Sequence, residues 1–152
     1  MNMSAKNNAI ILNGPGRSGT TLVYQMLSYH EDLGWLSGWV NKQPTLTFLS
    51  IFNNLYTKKL FNLPWHTLRF APKPSEAYHF WKHFYGESTT ENTEVIAAKK
   101  QKVMAQLRKV LLFSNKKRFL IKVTGNSRKL IFDSLFDDYQ VVWIERDPRV
   151  VV

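Results

Sequence analysis

Residues Gly14 to Leu22 read GPGRSGTTL, a set of types and spacings suited to holding an anion. Glycines let backbone amides turn inward toward one point. Ser18, Thr20 and Thr21 add hydroxyl donors, and Arg17 adds a planar cation that can pair with phosphate or sulfate oxygens. Gly14 and Gly19 keep the spacing of the nucleotide-hydrolysing loop G-x-x-x-x-G-K-[ST], and Thr21 fills its last position. Thr20, however, stands where that loop carries the lysine that reaches the β- and γ-phosphates. No clear carboxylate partner for magnesium follows either, because Arg146 lies between Glu145 and Asp147. The loop is therefore built for a phosphate-like anion, and no metal is expected. The plainer reading is a tight strand-to-helix turn without a ligand.

Two more polar segments follow apolar runs. RFLIKV, Arg118 to Val123, leads into TGNSR and carries Lys122; QVVWI, Gln140 to Ile144, leads into ERDPR and carries Arg146. Lys122 also reads as an ordinary strand-end lysine, and Arg146 as an ion-pair partner of Glu145 or Asp147. Arg149 reads as a surface charge.

The elements that must position these residues alternate. AIILN, Ala9 to Asn13, predicts a buried strand, and Leu22, Val23, Met26 and Leu27 share one face of a helix that begins at Thr20. WLSGWV, Trp35 to Val40, fits either a short strand or an ordered loop. A helix is expected from Pro44 through Leu60 and a loop over Leu63 to Pro74. Ser75 caps a short helix to Phe84, and a long helix runs from Glu91 to Phe113 with Ile96, Val103, Leu107 and Val110 inward. Asn126 or Ser127 caps a last helix to Phe136. This order predicts a single α/β domain over residues 1–152, three-layered α/β/α and P-loop-like, with a central parallel sheet. Such sheets bind ligands at the carboxyl ends of their strands, which is where all three polar segments fall.

The net charge of +10 favours an anionic partner. The lysines of the long helix are not interleaved with exposed aromatics, so a nucleic-acid stripe is not expected. No run approaches the roughly 18 apolar residues of a membrane span. The polar N-terminus MNMSAKNNA lacks the apolar core of a signal peptide, and a cytoplasmic location is expected. The chain has no cysteine, which removes disulfides and thiolate metal sites.

The three segments resemble the sulfotransferase superfamily, whose donor is PAPS (3′-phosphoadenosine 5′-phosphosulfate). GPGRSGTTL is similar to the family's 5′-phosphosulfate loop P-[RK]-S-G-T-T, with Gly16 replacing the usual proline. VVWIERDPRVVV is similar to the strand whose arginine holds the 3′-phosphate, with Arg146 in that position. IKVTGNSRKL resembles the family's lysine-bearing strand and polar turn, with Lys122 and Asn126 in register. The resemblance implies that Gly16, Arg17, Ser18, Gly19, Thr20, Thr21 and Arg146 bind the donor and its product PAP. It also implies that Arg17 and Lys122 offset the charge that develops during transfer.

The chain also departs from the family. The serine that joins the arginine on the 3′-phosphate falls just past Val152, so a truncated N-terminal portion is expected, and an exposed truncated edge would favour self-association. The family's histidine base falls on Thr124, and WLSGWV lacks the carboxylate that other relatives use. His66, Glu76, His79 and His83 remain as bases, with packing or surface roles as the alternative for each; Glu76 and His79 come first because three-residue spacing places them on one helix face. The acceptor class stays open among small molecules, carbohydrates, lipids and peptides. The other readings are a P-loop kinase or NTPase with a degenerate loop, and a non-catalytic anion-binding protein.

Overall fold

The computed structural model describes residues 8–57, 71–86, 92–124, 128–145 and 147. The apolar run after Asn8 becomes β1 (Asn8–Gly14), followed by α1 (Thr20–Leu27), β2 (Leu33–Gly34) and α2 (Gly38–Lys42). A 3-10 helix (Thr47–Phe52) runs into α3 (Asn53–Thr57), and α4 (Tyr78–Tyr85) and the long α5 (Thr93–Ser114) come next. The chain then makes β3 (Arg118–Thr124), α6 (Lys129–Leu135) and β4 (Asp138–Trp143).

The four strands form one sheet in the order β2-β3-β1-β4, and every pairing is parallel. The α/β class and the central parallel sheet are as expected, with helices on both faces. Alternation along the strands separates the two sides. Ala9, Ile11, Phe119, Ile121 and Val123 face a core closed by α2, α4, α5 and α6. Leu12 and Leu120 face the opposite way, toward Tyr24 of α1, Trp35 and Tyr56. The register sets Asn13 beside Val123 on one side and Trp143 on the other, so all three long strands end at one edge.

Several local expectations are corrected. The inward face of α1 is Thr20 and Tyr24, with Val23 and Leu27 half-buried, while Leu22 and Met26 are 62% and 65% exposed. Tyr24 wins that face because its hydroxyl finds carbonyl acceptors inside. WLSGWV is half helical: Ser37 accepts a hydrogen bond from Val40 N at 3.2 Å and caps α2. Ser75 does not cap α4, which starts after left-handed Ala77; the Ser75 hydroxyl accepts instead from Ala77 N. Asn92 caps α5, accepting from Glu94 N and Val95 N. Pro44 is buried in a turn ahead of the 3-10 helix. Asn126 and Ser127 lie outside the described residues; at the start of α6, Arg128 makes no side-chain cap.

Candidate functional site

The loop between β1 and α1 is held by its backbone. A Cβ at Gly14 would meet Ile144 O at 2.6 Å, so only glycine lets the end of β1 approach the end of β4. Asn13 Oδ1 accepts from Gly14 N at 2.8 Å, and Ile144 N donates to Asn13 O at 2.8 Å. Arg17 and Gly19 take positive φ, 63° and 90°, and Ser18 N donates to Pro15 O at 3.3 Å. Ser18 is 7% exposed, and its hydroxyl has no hydrogen-bond partner among the described residues. Gly16 and Arg17 are exposed. The first turn of α1 holds no acidic residue, and no side chain caps it, so its positive end is not offset there.

Strand β3 meets this loop from the side. Lys122 extends on the α1 face and donates through Nζ to Thr21 Oγ1 at 2.9 Å. The same ammonium lies 3.7 Å from Glu76 Oε2, with 11% of the lysine side chain exposed. Glu76 in turn accepts from Thr124 N and Thr124 Oγ1, each at 2.7 Å. Thr21, Lys122, Glu76 and Thr124 therefore form one chain of contacts at the carboxyl edge of the sheet. A carboxylate offers about four acceptor sites, so Glu76 keeps capacity for another donor.

Tyr24 braces this cluster from below. Its hydroxyl donates to Ser75 O at 3.2 Å and lies 3.4 Å from Leu120 O, which fixes the residue before Glu76 against β3. Burial pushes its phenol far above the ordinary tyrosine range, and the negative Glu76 adds to the effect. Arg128 is half-buried; burial works against its charge and lowers its pKa, while Glu76 and Tyr78 partly offset this.

Of the expected bases, Glu76 joins the cluster and the histidines that are described do not. Glu76 precedes α4 rather than sharing a helix face with His79, because left-handed Ala77 breaks the chain between them. His79 is exposed and meets Tyr78 edge-on at 5.7 Å, and His83 is exposed against Phe84. His66 and Arg146 lie outside the described residues. Among the described residues, no group of three or more His, Asp or Glu side chains gathers as a metal site would need. No helix there is long and apolar enough to cross a membrane.

Two members escape the sequence reading. Thr124 marks the place of a missing histidine, yet it is the residue that anchors Glu76. Tyr24 sits at helical spacing from Thr20, a polar-aromatic pattern that an apolar count passes over.

No family model matches the sequence, and no curated protein matches it. Among solved structures, the crystal structure of sulfotransferase STF9 from Mycobacterium avium is similar, with a TM-score of 0.48 and 16% identity. The match covers 95% of this chain and 44% of that one.

Proposed function

We propose that this chain serves sulfuryl transfer from PAPS to a hydroxyl or amine acceptor. The observation that carries the reading is the bond from Lys122 to Thr21, which joins the strand lysine to the anion loop beside Glu76. The loop suits the phosphosulfate end of the donor: a buried Ser18 hydroxyl without a partner, positive φ at Arg17 and Gly19, and a helix start free of acidic residues. Gly16, Ser18, Gly19, Thr20 and Thr21 line that loop, with buried Thr20 contributing its backbone. Arg146 takes the 3′-phosphate.

Bound PAPS supplies an activated sulfuryl group and a phosphate leaving group. Lys122 and Arg17 offset the negative charge that grows on the bridging oxygen as the bond to sulfur breaks. Glu76 accepts the proton of the attacking hydroxyl or amine, ahead of His79, because Glu76 sits against Lys122 and His79 does not. Thr124 holds that carboxylate in place through its amide and hydroxyl.

Thermal-shift titration with PAP, ADP, and ADP plus magnesium tests the reading, since a ligand that binds only the folded state raises its melting point. PAP is expected to stabilise the protein most, and Arg17→Ala to weaken PAP binding by about tenfold through loss of a charge-assisted contact. Equal affinity for ADP and PAP would remove the Arg146 assignment. A shift with ADP plus magnesium alone would replace the reading with nucleotide hydrolysis or phosphoryl transfer.

A further inference from the structure

A recess lies on the face of the sheet opposite Lys122. It encloses about 290 Å³ between α6 and the β1, β3 and β4 strands. The strand register places Asn13, Val123 and Trp143 side by side, on the face opposite Lys122. Its walls include Val123, Phe132, Val141 and Trp143, and its polar lining includes Asn13 and Arg128. This volume is at the lower end of small-ligand pockets, of roughly 300 Å³ and upward, and is enough for one or two fused rings.

The charges around the recess are unevenly matched. Asp133 is engaged by Lys129 and by the Tyr139 hydroxyl. Glu76, the acidic group that acts on Arg128, is already held by Thr124 and Lys122. The Nη1 atom of Arg128 is buried and has no hydrogen-bond partner among the described residues. A guanidinium withdrawn from water with part of its donor set unused favours an incoming anion. Trp143 is 57% exposed and Val141 55% exposed, so the aromatic wall is open to a ligand from solvent.

We infer that this recess binds a small planar aromatic acid, with its anionic group on Arg128 and its ring against Trp143 and Phe132. The inference stands apart from sulfuryl transfer, because the recess and the anion loop use different faces of the sheet. A charged group on Arg128 supplies orientation, and the ring supplies the apolar area.

Calorimetric titration with 1-naphthoate and with the neutral 1-naphthalenemethanol tests it. The acid is expected to bind at least about tenfold more tightly than the alcohol, the size of one charge-assisted hydrogen bond. Arg128→Gln should bring the acid down to the alcohol, and Trp143→Ala should weaken both. Saturating PAP should leave naphthoate binding in place. Equal affinity of acid and alcohol, or no binding of the acid at millimolar concentration, overturns the inference. Displacement by PAP also overturns it, by moving the acid to the anion loop. Should Arg128→Gln not fold, the acid–alcohol ratio in the unaltered protein and its response to Trp143→Ala decide the matter.

Discussion

Lys122 Nζ donates to Thr21 Oγ1 at 2.9 Å, tying the carboxyl end of β3 to the first turn of α1. The two residues are 101 positions apart, and the β1–β3 register is what brings them together. On the proposed sulfuryl transfer, Lys122→Met should reduce turnover by about 100-fold, the scale of removing one preorganised charge partner. PAP affinity should fall much less. Turnover within a few-fold of the unaltered protein would return Lys122 to a structural role.

Glu76 can act as a base, as a brace, or as both, and two substitutions separate these. Glu76→Gln keeps an oxygen for Thr124 N but cannot take a proton. It should leave the melting point nearly unchanged while transfer falls by about 100-fold or more. Glu76→Ala also strands the Thr124 amide and hydroxyl, costing about 1–3 kcal/mol of stability. Equal turnover for Glu76→Gln and the unaltered protein would leave only the brace.

The close approach of loop and strand gives a sharper stability test. A methyl at Gly14 would lie 2.6 Å from the Ile144 carbonyl and 3.0 Å from Ser18 Oγ, whereas one at Gly16 meets nothing within 4 Å. Gly14→Ala must displace backbone and should lower stability by about 1–3 kcal/mol, as overpacking does. Gly16→Ala should be near neutral. Denaturant midpoints of the two variants, compared at equal m-values, check this; equal losses would mean that Ile144 moves aside freely.

The sequence makes β1, β3, β4 and the glycine-rich turn after β1 legible because each is a local signal, whereas the two-residue β2 (Leu33–Gly34) carries no such run and was not expected. An apolar run ending in glycines declares a strand and its turn without help from distant residues. Lys122 and Glu76 were legible as residue types, and their meeting was not, since it depends on a turn at left-handed Ala77 that no spacing rule anticipates. The same turn moved Ser75 from a helix cap to a local bond with Ala77 N. In α1 an apolar count chose Leu22 and Met26 for the core, while two carbonyls at the sheet made Tyr24 the better buried residue. Long-range acceptors of that kind leave no trace in the surrounding residue pattern.

Buried tyrosines make stability depend on pH on the alkaline side. Burial pushes Tyr85 up to about 12, and burial together with the neighbouring Tyr29 pushes Tyr56 up to about 12. Tyr24 is raised further by burial and by Glu76. In the unfolded chain a tyrosine loses its proton near its ordinary value of about 10. Above that pH the unfolded state releases protons that the folded state retains, so the contribution of Tyr85 and Tyr56 to stability is fully present below pH 10 and is lost from there through about pH 12. Each retained proton steepens the decline by about 1.4 kcal/mol per pH unit. Tyr85 offers the cleanest test, because its hydroxyl is buried and has no hydrogen-bond partner among the described residues. Tyr85→Phe removes an uncompensated polar atom without opening a cavity. It should raise the melting point at pH 7, by about 1 kcal/mol in stability, and flatten the decline above pH 10. Tyr24→Phe should do the opposite at pH 7, since it gives up the bond that holds Ser75 against the site. A lower melting point at pH 7 for Tyr85→Phe would mean that its hydroxyl is satisfied in solution.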